Sequence, residues 1–359
     1  MQPIRVLIVD DSAVIRRLLG ELLMSDPTIK VPGTAGNGAL ALARIADLKP
    51  DLVTLDVEMP GMSGIETLVE IRKLYPKLPV IMFSSLTGPG AATTVEALSR
   101  GASDYAAKPS ADSPESAAEA IRQDLIPKIK ALCAPLPKPP QVPAFVVPAP
   151  DISVAVRKPA RIDLVAIGTS TGGPNALAAL MPQLPQDFPV PILIVQHMPP
   201  MFTHLLAKRL GSLTRLRVEE GKEGEKVEPG QVWIAPGDYH MTISRKGGDL
   251  VLGLNQDAPE NSCRPAVDVL FRSVARSHGA NVLAVVLTGM GSDGTRGAAV
   301  IREAGGMVIA QDAPSSVVWG MPGSVVSAGL AEHTYPLSEI GQEIARRVAL
   351  RRAAVACRS

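Results

Sequence analysis

Cysteine is scarce in this 359-residue chain: Cys133, Cys263 and Cys357 are odd in number and far apart. They offer neither a disulfide framework nor the close Cys/His spacing of a zinc site, and such usage fits a reducing cytoplasm. An excess of one charge is also missing. Lys and Arg number 36 against 35 Asp and Glu, and a net charge of +1 gives no electrostatic reason to expect nucleic acid or an acidic membrane as partner. No apolar run approaches the roughly 18 residues of a membrane-spanning helix. The opening MQPIRVLIVDD lacks the basic start, apolar stretch and small-residue cleavage site of a signal peptide. Aromatics are few, but the apolar share of 46% is ample for burial, and at this length two domains are expected rather than one core.

Glycine is absent from CAPLPKPPQVPAFVVPAPDISVAVRKPA, residues 133–160, where proline recurs every few positions and neither helical nor strand periodicity survives. Such a segment behaves as a stiff, partly extended linker. The chain is therefore divided into a first domain over residues 1–125, a Pro-rich linker over 126–160 and a second domain over 161–352. Both domains alternate apolar strands with helical patterns, which predicts α/β folds with parallel sheets. The first set of strands is IRVLIV, a weak one near VPGTAG, DLVTLD, PVIMFS and DYAA; the second is DLVAIG, PVPILIVQ, VWIAPG, NVLAVVLTG and GMVIAQ. Gly247-Gly248 between two alternating runs predicts an antiparallel hairpin attached to the second sheet.

Open α/β sheets bind ligands at the carboxyl ends of their strands. In the first domain those ends carry Asp10, Asp11, Asp56, Ser84 and, before a proline, Lys108. Three close carboxylates repel one another unless a cation neutralises them, and an all-oxygen set suits Mg²⁺. Asp56 is placed to accept a phosphoryl group beside the metal, with Ser84 and Lys108 at its oxygens. VLIVDDS, LVTLDVEMPGMSG, IMFSS and DYAAKP resemble the receiver domain of two-component response regulators, over about residues 4–122. The resemblance implies a five-stranded, flavodoxin-like fold and phosphorylation of Asp56 by a histidine kinase. It also implies Mg²⁺ held by Asp10, Asp11, Asp56 and the backbone carbonyl of Glu58. Ser84 and Tyr105 become the hydroxyl and aromatic pair that reports the phosphoryl group.

The second domain begins with DLVAIGTSTGGPNALAALMPQL, a buried strand breaking into Gly168-Thr169-Ser170-Thr171-Gly172-Gly173 and then a helical pattern. Such a turn either cradles phosphate or mounts a nucleophilic serine. The dinucleotide fingerprint needs glycine where Ser170 stands and an acid at the end of the next strand, where the chain reads Gln196-His197-Met198-Pro199; a P-loop lysine is lacking too. The serine reading uses the same residues. Ser170, His197 and Asp293 follow three strands of one sheet and would meet at one edge as nucleophile, base and orienting acid. His204, His240, His278 and His333 have no comparable placement, although His240 follows a strand and could border the site.

GTSTGGPNAL, VQHMPPMFT, VWIAPGDYHM, LTGMGSDGTRGA and VVWGMPGSVV, in that order over about residues 161–345, resemble the catalytic domain of chemotaxis protein-glutamate methylesterases, the CheB family. The resemblance implies a doubly wound parallel α/β hydrolase that needs no cofactor in this domain. It would demethylate glutamate methyl esters, and deamidate glutamines, of methyl-accepting chemoreceptors under control of the phosphorylated receiver. It assigns Ser170, His197 and Asp293 to the triad and the backbone of Met290 to the oxyanion site. Two departures, Ala266 where a hydroxyl is usual and Gly323 where a basic residue is usual, touch expected substrate docking and not the triad. A DNA-binding regulator would need a basic recognition helix after the linker, which the strand-rich second half does not offer. The alternative reading from another class is a catalytically inactive signalling module with an esterase-like output domain.

Overall fold

The computed structural model describes residues 2–84, 88–108, 114–135 and 161–356, and the chain forms two compact units, Met1–Ala134 and Pro135–Ser359. The linker expected over 126–160 lies outside the described residues from 136 onward.

In the first unit β1 (Ile4–Val9), β2 (Ile29–Ala35), β3 (Leu52–Asp56), β4 (Val80–Ser84) and β5 (Asp104–Ala107) form a parallel sheet in the order β2-β1-β3-β4-β5. The order reverses at β1, which opens a crevice beside the carboxyl ends of β1 and β3. The inner strands are buried on both faces, as continuous runs such as IRVLIV and VIMFS require when helices cover both sides. Helices begin where the sequence offers caps. Ser63 and Glu66 make a reciprocal capping box at α3 (Gly64–Leu74). The last helix, α5 (Pro114–Cys133), corrects the boundary expected at 125. Pro127 falls inside it, yet buried Ile121, Leu125, Ile126 and Ile129 form one apolar stripe, and burial of that stripe carries the helix past the proline.

The second unit contains a seven-stranded parallel sheet: β6 (Leu164–Thr169), β7 (Ile192–Gln196), β8 (Arg217–Glu220), β9 (Gln231–Ile234), β12 (Val282–Val286), β13 (Met307–Gln311) and β14 (His333–Tyr335). Its order is β14-β13-β12-β6-β7-β9-β8. The chain winds outward from β6 through β7, then crosses back to pair β12 on the other side of β6. The switch point is therefore β6, flanked by β7 and β12. The expected hairpin is present as β10 (His240–Lys246) and β11 (Asp249–Asn255), but it forms a separate two-stranded sheet rather than an extension of the large one. It packs through Met241, Ile243 and Leu252 against a core shared with α8 (Val267–His278), whose buried face includes Val267, Leu270, Phe271 and Val274. Among the described residues no helix is long and apolar enough to cross a membrane.

Candidate active site and phospho-acceptor site

Ser170 lies between β6 and helix α6 (Gly173–Leu180), half-buried, at the switch point of the second sheet. The turn is held from below and from the side. The Ser170 N–H donates to the Thr288 carbonyl at 3.0 Å, and the Gly173 N–H donates back to the Ser170 carbonyl at 2.7 Å. Gly172 takes φ +77°, and a Cβ there would lie 2.7 Å from Val317, so the turn requires glycine. Across the crevice, a Cβ on Gly289 would stand 2.9 Å from the Ser170 Cβ. The backbone leading into Met290 thus runs directly against the serine, where its peptide group can face a carbonyl under attack.

His197 follows β7, and its Nε2 lies 2.8 Å from Oδ2 of Asp293. The Gln196 side chain donates to the carbonyls of Ser170 at 3.0 Å and His197 at 3.2 Å, tying the serine turn to the histidine turn. Asp293 is 2% exposed and fully engaged. It accepts the N–H groups of Val267 at 2.7 Å, Asp268 at 3.0 Å and Gly294 at 2.9 Å, and the Asn261 amide at 2.8 Å. Val267 and Asp268 open α8, so the acid that holds the imidazole also caps a helix N-terminus, where a negative charge is favoured. This explains the first sequence departure. Ala266, at the N-cap position, is fully buried and has no capping side chain, because Asp293 caps the helix from another segment. Gly323 is buried as well, and a Cβ there would lie 2.8 Å from the Trp319 ring.

The electrostatics follow from these contacts. Burial alone would push the His197 ring below its usual range. Hydrogen bonding to Asp293 and Cys263, with the Asp293 charge, outweighs burial and holds it at about 9. Burial would raise Asp293, but the His197 hydrogen bond, the imidazolium charge and the α8 N–H groups keep its carboxyl below the usual range. The pair is an imidazolium–carboxylate couple at neutral pH. His240 does not enter it. That ring is buried, accepts the Ala266 N–H at 3.2 Å and contacts the Ala258 carbonyl at 3.2 Å, which braces the loop before α8.

In the first unit, Asp10, Asp11 and Asp56 gather at the crevice with their ligand atoms within 4.8 Å of one another. Asp10 and Asp56 are buried and Asp11 is exposed. Lys108 reaches both buried acids, 2.9 Å from Asp10 and 2.8 Å from Asp56. The Glu58 N–H donates to Asp56 at 3.2 Å, so the Glu58 peptide borders the site. Ser84 is buried at the end of β4, its hydroxyl 3.4 Å from the Gly90 carbonyl. Tyr105 is buried on β5 with the Lys128 ammonium 4.9 Å over its ring. Burial raises the Asp56 carboxyl to about 6, against the pull of Lys108 and with the help of Asp10. With Lys108 on two of the carboxylates and Arg16 on the Asp10 and Asp11 carbonyls, three acids remain together as an all-oxygen site with one solvent-facing member. That donor set fits a hard divalent cation that keeps water.

Both units match known protein families. Residues 165–344 match the family model described as CheB methylesterase, and residues 6–120 match the response regulator receiver domain. The chain is 49% identical over 358 residues to the protein-glutamate methylesterase/protein-glutamine glutaminase of Trichodesmium erythraeum, covering 97% of this chain and 100% of that one. It is 51% identical over 358 residues to the protein of the same name from Nocardioides sp., covering 98% and 97%. Among solved structures, the Thermotoga maritima CheB methylesterase catalytic domain is 44% identical, covers 52% of this chain and 98% of its own, and superposes with a TM-score of 0.51.

Proposed function

The chain belongs to the CheB methylesterase family, and from that premise we propose that it is a receiver-controlled serine hydrolase acting on glutamate methyl esters, and on glutamines, of chemoreceptors. The observation that carries the reading is the Asp293–His197 couple beside a glycine-mounted serine at one sheet switch point. Ser170 attacks the ester carbonyl as the neutral His197 ring takes its proton. The tetrahedral oxyanion is stabilised by backbone N–H groups at Met290 and the start of α6. His197 returns the proton to the leaving methoxide, releasing methanol and a glutamyl ester on Ser170. Water activated by the same imidazole hydrolyses that ester to free glutamate. With glutamine the leaving group is ammonia and the acyl intermediate is the same.

The base must be neutral, and the couple stabilises its protonated form. An unperturbed imidazole would set the acid limb of kcat/KM near 6.5. With His197 held at about 9, activity is expected to climb steadily from pH 7 toward pH 9, by roughly tenfold or more. Cys263 contributes to that hold, so Cys263→Ala is expected to move the limb to lower pH. A pH–rate profile of both proteins checks this; a wild-type limb at 6 to 7 that Cys263→Ala leaves in place contradicts it.

In the receiver, Asp10, Asp11, Asp56 and the Glu58 carbonyl would hold Mg²⁺, which supplies charge neutralisation for a phosphoryl group arriving at Asp56. Lys108 steadies the transferred oxygens. Ser84, at the end of β4, and Tyr105, within β5, form the element a phosphoryl charge would bias. A histidine kinase is the proposed donor, and sensory adaptation in chemotaxis the proposed role. The reading places the protein's work in the cytoplasm, with which unpaired Cys133 and Cys263 accord.

The charged Asp56 site is costly without a cation. Its carboxyl titrates at about 6 rather than the ordinary 3.8, so the folded receiver holds the proton more tightly and loses stability as pH rises through that window. Millimolar Mg²⁺ is therefore expected to raise the receiver's unfolding midpoint by about a few degrees at pH 7.5 and by less at pH 5. Thermal unfolding at both values checks this; an equal rise at both, or none, contradicts it.

A further inference from the structure

Between the hairpin and α8 the chain makes a tight turn, Glu260-Asn261-Ser262-Cys263. Its ends pair through backbone hydrogen bonds of 3.1 Å from the Glu260 N–H and 2.9 Å from the Cys263 N–H. Both central residues have left-handed backbones, φ +52° at Asn261 and +61° at Ser262, although neither is glycine. Such conformations cost free energy and persist where the surroundings over-determine them. Here Glu260 is anchored to Arg272 of α8 by two hydrogen bonds of 2.9 and 2.5 Å. On the far side Arg264 is fixed to Asp238 at 3.0 Å.

The strained turn delivers one side chain to the catalytic edge. Asn261 is itself surface-exposed, but its amide nitrogen reaches down to two buried carboxylates, 2.8 Å from Oδ1 of Asp293 and 3.0 Å from Oδ2 of Asp268. Its two hydrogens suffice for both bonds. Asp293 uses Oδ2 for His197 and the Val267 N–H, and on the opposite oxygen Asn261 adds a side-chain amide to the Asp268 and Gly294 N–H groups. Asp268, fully buried, has its other oxygen on the Gly297 N–H at 2.6 Å. Asn261 is thus a bridge that separates two like charges and orients the one that holds the imidazole. The charged and titratable groups around Asp293 are His197 after β7, Cys263 and Glu260 in the loop, and Asp268 and Arg272 on α8.

We propose that Asn261 is a positioning residue for the hydrolysis: its amide, held by the left-handed turn, completes with three backbone N–H groups the hold on Asp293 that His197 requires. This rests on the reading of Asp293 as the acid that orients His197. Removing the amide takes one donor from the Asp293 charge, leaves more of that charge to the His197 N–H, and loosens a carboxylate that the Val267, Asp268 and Gly294 N–H groups still hold. The consequence is a more basic, less well aimed imidazole, with substrate binding untouched.

Asn261→Gly tests this without backbone strain, because glycine accepts the turn and only the amide is lost. Asn261→Asp keeps shape and left-handed tolerance but replaces both donors with a third negative charge. Ser262→Gly, which relieves the neighbouring strain and keeps the amide, is the control. In the full-length, phosphodonor-treated protein, Asn261→Gly is expected to lower kcat about tenfold with KM within about twofold. Asn261→Asp should cost more, and Ser262→Gly should match wild type. A ring NMR titration of His197, which needs no turnover, should show its midpoint higher by about half a unit or more in both Asn261 variants. Unchanged kcat and an unchanged His197 midpoint in either Asn261 variant overturn the proposal. A midpoint that moves in a protein lacking any esterase activity supports the positioning and sinks the hydrolase reading instead.

Discussion

Ser170→Ala is expected to abolish demethylation, by at least about a thousandfold in kcat, and to leave thermal unfolding unchanged. The two halves of that expectation come from different observations. The turn is held by backbone hydrogen bonds, Ser170 N–H to Thr288 and Gly173 N–H to Ser170, and by the Gln196 amide on the Ser170 carbonyl. Alanine keeps all of them. In the proposed mechanism the lost hydroxyl is the attacking atom, and the remaining oxyanion donors would supply only residual rate. His197→Ala should cost a comparable amount and the double variant little more, since members of such a unit are not additive. Activity in Ser170→Ala within tenfold of wild type would remove the serine from the chemistry. Loss of activity together with a lowered unfolding midpoint would leave its cause structural.

The second large effect concerns control. A small phosphodonor with Mg²⁺ should place one alkali-labile phosphoryl group on Asp56, and Asp56→Asn should carry none. Phosphorylation regulates only if it changes the relative stability of a restrained and an active state. Wild type is therefore expected to accelerate by at least about tenfold on phosphorylation, whereas full-length Asp56→Asn stays at the basal rate with or without donor. A fragment from Val154 onward should exceed the unphosphorylated full-length rate and ignore the donor. The family's catalytic domain has been crystallised alone in the Thermotoga maritima case, which suits such a fragment to the test. A fragment no faster than the unmodified full-length protein would rule out restraint by the receiver and leave activation by positive contacts.

Much of this was legible in the sequence because parallel strands buried on both faces write continuous apolar runs. IRVLIV, VIMFS and NVLAVV mark the sheets, and the polar residues immediately after them, Asp10, Asp56, Ser84, Ser170 and His197, mark the edge where ligands meet. The edges of the large sheet were not legible. β8 reads RVEE and β14 reads HTY, short strands, none of whose residues is fully buried, and their polarity keeps a sheet edge from pairing further. The first domain was expected to end at 125, but burial of Ile126 and Ile129 carries its last helix to Cys133. Asn261 and Cys263 carried no signal. Neither closes a strand or sits in a periodic face, and their link to Asp293 and His197 exists only once α8 folds under the sheet edge. The proximity of Asp293 to Val267 likewise explains Ala266, which looked like a missing docking hydroxyl and is a helix start capped from elsewhere.

The most direct measurement is to mix the phosphorylated full-length protein with a receptor-derived glutamate methyl ester peptide, quench in acid within the first turnover, and locate the acylated residue by mass spectrometry. Peptides from both Ser170 and Cys263 must be covered, because Cys263 is a second nucleophile hydrogen-bonded to the His197 ring. The glutamyl group is expected on Ser170, with one equivalent of methanol released before water enters. An acyl group on Cys263, or methanol released with free glutamate and no adduct at all, would contradict a serine nucleophile.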